Sequence, residues 1–241
     1  MTPTAGPLIE IAALSKDYHG LRPLRIQTLM LGEGEHTAIL GLDRPVAETF
    51  INLVTGASLP DRGLVTIFGR PTSSIDDSTE WLAVVDRFGI VSERAVLLDA
   101  LSVIQNLSIP FTLEIEPPPE EIRERATALA REAGLADELW DRPVSELDAS
   151  GRLRLRVGRA LALDPKVLLL EHASAGLPAD AARALGSEIR QIASRRTCAL
   201  LAVTADQDFA AAVGSRVLTL EPATGRLAER RGGWLGRLFG P

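Results

Sequence analysis

Two adjacent ionisable residues, Glu171 and His172, follow the uninterrupted apolar run Val167-Leu168-Leu169-Leu170. The run is too short for a helix, and its β-branched and aliphatic residues suit a strand buried on both faces. Open α/β sheets place their ligands at the carboxyl ends of such strands. Taken alone, a carboxylate beside an imidazole supports acid–base work or metal binding. Against that, adjacent side chains leaving a strand usually diverge, and the chain has only three histidines, His19, His36 and His172. A second group lies in Gly41-Leu42-Asp43-Arg44-Pro45-Val46-Ala47-Glu48-Thr49-Phe50, directly after the strand-like segment His36 to Leu40. On residue types alone it reads as a strand-to-helix turn, with Asp43 near the helix cap and Pro45 in the first turn. The hydroxyl of Thr49 and the carboxylates of Glu93 and Glu171 are side chains of the oxygen type that a hard cation takes, and equally ordinary loop or surface groups.

The elements that must hold these residues follow from periodicity. Ser150 to Leu163 carries Leu153, Val157, Ala160 and Leu161 at helical spacing, with Arg152, Arg154, Arg156 and Arg159 between them. That pattern predicts an amphipathic helix with a basic outer face. Asp164-Pro165 ends it, because the residue before proline is pushed out of the helical region. Leu8 to Leu14 and Leu24 to Met30 read as two earlier strands, and Phe88 to Val91 as a further central one. The stretch Pro117-Pro118-Pro119-Glu120-Glu121 begins a helix with acidic residues in its first turn, Ile122, Ala126, Leu129, Ala130 and Ala133 on one face and Gly134 as its stop. Asp180 to Arg195 reads as another amphipathic helix. Cys198 to Val203 reads as a buried strand, and Arg216 to Leu220 with Gly225 to Leu227 as a final strand pair.

The order and spacing of these pieces resemble the ATP-binding cassette (ABC) ATPases. In that family a signature loop of LSGGQ type opens a helix ending in ARAL. A short turn follows, then a strand LLLDEP and a TSGLD loop. Arg159-Ala160-Leu161, Asp164-Pro165, Leu168-Leu169-Leu170 and Gly176-Leu177 match as they stand. Pro60-Asp61-Arg62-Gly63 matches the hairpin that follows the family's first helix, and LSVIQNLSIP (Leu101 to Pro110) the opening of its helical subdomain. That last wording is frequent in exporter subunits of the lipoprotein-release and cell-division kind, and in lipid-transport ones.

The match is broken where the family does its chemistry. The signature position reads Leu147-Asp148-Ala149-Ser150-Gly151; Ser150-Gly151 supplies the loop's S-G only if two residues are inserted before it. The Walker B aspartate position holds Glu171, and the catalytic glutamate position His172. The phosphate loop, GxxGxGK followed by serine or threonine, keeps Gly41 and Thr49. Its other glycines are Arg44 and Val46, its lysine is Ala47 and its Mg2+ hydroxyl position is Glu48. Such a loop needs inward-turned backbone N–H groups, and Pro45 has none to give. Asp43 and Glu48 would meet a polyphosphate with like charge. One such contact at about 4 Å costs roughly 4 kcal/mol at an effective dielectric of about 20; Arg44 offsets part of it. The resemblance further places Tyr18, the chain's single tyrosine, where the family stacks an aromatic on adenine. Glu93 stands in place of a metal-coordinating glutamine, and Ala205 in place of a histidine that contacts the γ-phosphate.

The resemblance implies an α/β fold of the ABC-type P-loop NTPase: a mainly parallel sheet, an antiparallel β edge and an inserted helical subdomain. It implies one domain over 1–241, with 1–91 and 164–228 as core, 92–163 as helical subdomain and 229–241 as tail. It implies ATP and Mg2+ as cofactors, bound weakly or not at all. The expected partners are a membrane permease subunit and a second ATPase chain, in a homodimer or heterodimer. In such a dimer each site joins the phosphate loop of one chain to the signature of the other, so this chain spoils both halves. Two functions remain open: a degenerate ATP-binding subunit, and a non-catalytic subunit that keeps the shape and docks on a permease or a partner ATPase. Permease docking is expected near Glu93 to Ile104, with Arg94 and Asp99 exposed; the tail, with Trp234, is a second candidate contact.

Bulk properties agree with this picture. A net charge of -6 and pI near 5.2 argue against a nucleic-acid surface. One cysteine, Cys198, excludes a disulfide framework and reads as a buried thiol. No run approaches the roughly 18 apolar residues of a membrane span. The start, MTPTAGPLIEI, lacks the regions of a secretory signal. The expectation is a cytoplasmic protein at the inner face of the membrane.

Overall fold

The computed structural model describes residues 6–229. Strands β1 (Ile9–Lys16), β2 (Leu24–Leu31), β4 (Arg62–Ile67) and β5 (Arg70–Pro71) form an antiparallel sheet in the order β2-β1-β4-β5. A second sheet runs β10-β9-β3-β8-β7-β6, from β10 (Arg226–Glu229), β9 (Arg216–Glu221), β3 (His36–Leu40), β8 (Ala199–Thr204), β7 (Val167–Glu171) and β6 (Phe88–Ser92). All its neighbours pair in parallel except β10 with β9. Helix α1 (Arg44–Val54) follows β3, and α2 (Ser78–Val85) precedes β6. An inserted helical arm carries α3 (Val103–Ser108), α4 (Glu120–Glu132) and α5 (Ala149–Ala160); α6 (Ala179–Arg195) and α7 (Gln207–Val213) flank the sheet.

The central strands separate two cores, and their period of two decides which residue serves which. Val167 and Leu169 of β7 pack with Phe50, Leu53 and Val54 of α1 and with the antiparallel sheet. Leu168 and Leu170 pack on the other face with the helices of the arm and with α6 and α7. Glu171 continues the alternation of Val167 and Leu169 and therefore leaves the strand toward α1. In the arm, a Cβ on Gly158 of α5 would lie 2.9 Å from Leu107 of α3, so glycine permits this close approach. Buried Asn106 accepts from the Leu98 N–H and donates to the Leu98 and Ser102 carbonyls, which fixes the segment entering the arm.

Most predicted elements are present, with some differences. Strand β6 lies at the edge of its sheet rather than at the centre. Helices α2 and α7 were not anticipated; α2 buries none of its residues, so it has no apolar stripe to read. Helix α5 ends at Ala160, capped by Leu161, before the proline acts, and Asp164 takes a left-handed φ of 51° instead of an extended one. The basic face of α5 is not a solvated one. Arg152 pairs with Asp99 at 2.8 Å, Arg154 with Glu188 at 2.6 Å, and Arg159 donates to the Val96 carbonyl at 2.6 Å. Each arginine is half-buried and ties α5 to a neighbouring segment. Cys198 is buried, and desolvation pushes its thiol up to about 11. Among the described residues no helix is long and apolar enough to cross a membrane.

His36 opens β3 almost fully buried, with its Nε2 lacking a partner. Burial, and to a smaller degree the charge of Arg190, lower its pKa below the ordinary 6.5, opposed by a hydrogen bond with the Cys198 backbone. The folded chain therefore takes up this proton at a lower pH than the unfolded chain, whose imidazole has the ordinary value of 6.5. Below that pH the unfolded state holds more protons, so stability falls with falling pH. Urea unfolding at pH 7.5 and 5.0 should show a lower midpoint at pH 5.0. His36→Phe should flatten that dependence; an unchanged slope would contradict this role.

Candidate functional site

The carboxyl ends of β6 and β7 and the first turn of α1 meet around a cavity of about 280 Å3 lined by Arg44, Pro45, Glu48, Ser92, Glu93, Arg94, Glu171 and His172. Glu171 has only 7% of its side chain exposed, and its Oε2 accepts from Arg94 Nη2 at 2.7 Å and from Nε at 3.1 Å. The third guanidinium nitrogen, Nη1, reaches Glu48 Oε1 at 3.1 Å. Arg94 is itself steered by its backbone N–H, which donates to Ser92 Oγ at 3.1 Å. Beside this triad, Arg44 pairs with Glu93 at 2.9 Å. A nearly buried carboxylate needs a partner for its charge. The planar fork of an arginine can serve two carboxylates at once, which a lysine cannot do in this geometry.

The turn before α1 is an N-cap. Asp43 Oδ1 accepts from the Val46 N–H at 3.0 Å, and Pro45 occupies the first turn, as residue types predict. The Ala47 N–H goes to the Asp43 carbonyl at 2.8 Å. Ala47 is fully buried in the core behind α1, and Thr49 Oγ1 donates back to the Pro45 carbonyl at 2.9 Å. Gly41 takes a φ of 93° with the Leu220 backbone closely opposed. The same turn separates a second cavity, of about 360 Å3, lined by half-buried Tyr18 with Leu24, Gly41, Asp43, Val46, Leu220 and Pro222. Tyr18 thus adjoins the turn but does not line the cavity that holds Glu171.

His172 adopts a left-handed φ of 45°, and its N–H donates to the Val203 carbonyl. Its Nε2 is buried without a partner. The carboxylate of Glu171 goes to Arg94 rather than to His172, so the two do not form an acid–base pair. Among the described residues no group of three or more metal-type side chains converges. Ala205 is exposed after β8, and Asp206 beyond it caps α7. At the other candidate motif, Leu147 is buried and Asp148 caps α5, its Oδ1 accepting from the Gly151 N–H at 2.7 Å; Ala149 and Ser150 form the first turn. Sequence reading missed the pairing of Arg94, the residue at the centre of the site. Arg94 and Asp99 are exposed, as expected, and both are also paired, with Glu171 and with Arg152.

The model of the ABC transporter family matches residues 24–175. The chain belongs to the ABC transporter family. Its fold is that of the ABC ATPases: it superposes with a TM-score of 0.78 on cbiO1 from Clostridium perfringens, described as part of the ABC transporter complex cbiONQ, at 22% identity over 92% of this chain and 87% of that one. The dimeric bacterial ABC transporter cassette MJ0796 gives a TM-score of 0.73 at 22% identity, over 93% of this chain and 100% of that one. Among ABC relatives, the lipoprotein-releasing system ATP-binding protein LolD of Pseudomonas syringae pv. tomato is 31% identical over 201 residues, 83% of this chain and 86% of its own length. The methionine import ATP-binding protein MetN of Brucella abortus is 27% identical over 231 residues, 96% of this chain but 61% of its own length. The chain thus spans about 61% of the length of that relative.

In this ABC chain both helices that follow the expected phosphate-facing loops begin with a capping aspartate. A lost aspartate cap typically costs about 1 kcal/mol. Asp43→Ala and Asp148→Ala should each lower unfolding free energy by about that much, and the asparagine variants by less, in urea titrations. No difference between alanine variant and parent would show that the caps do not hold these turns.

Proposed function

We propose that this chain is an ATP-binding-cassette subunit that keeps the shape of its family without running its hydrolysis. In this reading it is a structural or regulatory partner of a membrane permease, at the inner face of the membrane, beside a second cassette chain. The observation that carries it is the turn 43–49. Asp43 already occupies an N–H at the α1 N-terminus, Pro45 offers none, and the buried Ala47 presents no cation. A triphosphate entering here would meet Asp43 and Glu48 with no lysine to balance them. A magnesium ion would find Thr49 Oγ1 turned to the helix backbone and Glu171 already held by Arg94. The residues present do not fit Mg·ATP. What support remains for a nucleotide is the cavity beside Tyr18, which suits an aromatic ring; Tyr18→Ala should remove any residual affinity.

We assign the segment 92–163 to the arm and the flanking stretches to the core. Docking of the permease is assigned to the groove between them. A cavity of about 260 Å3 lies there, lined by Phe88, Ile90, Ala95, Leu97, Arg156 and Leu163, among others. Leu97, Val103 and Ile104, expected to be apolar groove residues, are buried and serve the core, so the surface candidates are Val96, 71% exposed, and Leu98, 42% exposed. Burial lowers the pKa of Arg156 and Arg159 on the same groove, and the Nε of Arg156 lacks a partner. The tail contact at Trp234 lies outside the described residues. Membership of the cbiO1 protein in a complex named cbiONQ is consistent with an assembly of this kind.

Calorimetric titration with ATP and Mg2+ should give a dissociation constant weaker than about 1 mM, corresponding to about -4 kcal/mol. Hydrolysis should stay at background, and His172→Glu alone should not raise it. A low-micromolar constant would overturn the claim of weak binding, and robust turnover in that single variant would show that the phosphate loop is not the broken part. For docking, Val96→Asp with Leu98→Asp should reduce membrane association at least about tenfold, the equivalent of about 1.4 kcal/mol. Unchanged association would move the interface elsewhere.

A further inference from the structure

The arginine at the centre of the cavity has a consequence for how core and arm are joined. Arg94 is the second residue after β6, on the segment that leads into the arm, whereas Glu48 belongs to α1 and Glu171 to the end of β7. Its three nitrogens contact carboxylates from two different core elements, at 2.7, 3.1 and 3.1 Å. One residue earlier, Glu93 is held by Arg44 of α1. Glu48, Glu93 and Glu171 carry three negative charges, and Arg44 and Arg94 return two positive ones. The cavity is thus nearly neutral without a ligand, and its most buried carboxylate is doubly hydrogen-bonded.

We propose that Arg94 is the resident cation of this site. It takes the position a divalent ion would take between two converging carboxylates, and it fastens the entrance of the arm to the core in the absence of metal and nucleotide. The inference deepens the non-hydrolytic reading and rests on it for its biological meaning, while its test uses metal alone. Charge decides the outcome. Removing the guanidinium leaves Glu48 and Glu171 without their cation, and a hard cation prefers such oxygens. A buried carboxylate deprived of its partner also favours any cation that can replace it.

The experiment is a titration of the full chain with Mn2+ and with Mg2+, no nucleotide present, read by calorimetry and by thermal unfolding against EDTA. The parent chain should show no saturable binding at millimolar metal and no shift in melting temperature. Arg94→Gln should melt lower in EDTA than the parent, then gain saturable binding and recover several degrees with metal. Adding Glu171→Gln should abolish that gain. Saturable binding by the parent that Glu171→Gln removes would overturn the proposal, because metal and arginine would then coexist. A folded Arg94→Gln chain indifferent to metal would overturn it as well. Should Arg94→Gln not fold, Arg94→Lys carries the test through amide hydrogen exchange, since one ammonium cannot hold both carboxylates in this fork geometry. Exchange across 93–102 should then accelerate at least about tenfold over the parent. Unchanged exchange would show that Arg94 does not fasten the arm. ATP hydrolysis by the parent chain would refute the non-hydrolytic reading and leave these metal measurements standing on their own.

Discussion

One guanidinium, that of Arg94, balances the charge at the junction of the two halves of this molecule. Glu171 ends a strand whose preceding residues are fully buried, and alternation along β7 turns its carboxylate toward α1. Taking a carboxylate this far out of water is costly unless it is paired and hydrogen-bonded. Arg94 supplies the partner and brings the first residues of the arm with it. The entrance of the arm is thus tied to the core by an interaction within the chain, beside the pairs Arg154–Glu188 and Arg196–Glu132 further along the arm. Because 43% of the Arg94 side chain remains exposed, water screens the pair in part, and its strength falls below that of a fully buried ion pair.

The same economy of charge recurs at the helix N-termini. A free helix N-terminus attracts anions through its unpaired N–H groups and its dipole. In this chain α1 and α5 receive that negative charge from Asp43 and Asp148. Both helices that follow the loops expected to face phosphate are thus capped by the protein's own carboxylates, and a pair of carboxylates holds its own arginine. The ABC fold survives these replacements because its cores depend on the alternating strand residues and on the inner faces of α1, α5 and α6.

How much of this the sequence disclosed depends on the range of the interactions involved. Strand β7, helices α4 and α6 and the capped turn at Asp43 rest on local patterns, and each is where its pattern puts it. Helix α2 escaped because it lies on the surface with no buried residue. Helix α5 was found, but its arginines were misread: a basic stripe looks the same in sequence whether it faces water or reaches Asp99, Glu188 and the Val96 carbonyl. Arg94 was hardest to see. Its partners lie 46 and 77 residues away, and beside Glu93 in a loop it looks like any surface charge. The one available clue was that Glu171 and Glu48, placed by resemblance around a shared site, had no lysine between them.

A double-mutant cycle between Arg94 and Glu171 tests the central claim most directly. Parent, Arg94→Gln, Glu171→Gln and the double variant are unfolded in urea at neutral pH, and the coupling energy is taken from the four values. A charge-assisted, two-point hydrogen bond at a partly exposed site should couple the residues by about 1–2 kcal/mol, with the double variant more stable than the sum of single losses predicts. A coupling indistinguishable from zero would mean that Arg94 merely lies against Glu171, and that something other than this ion pair sets the arm on the core.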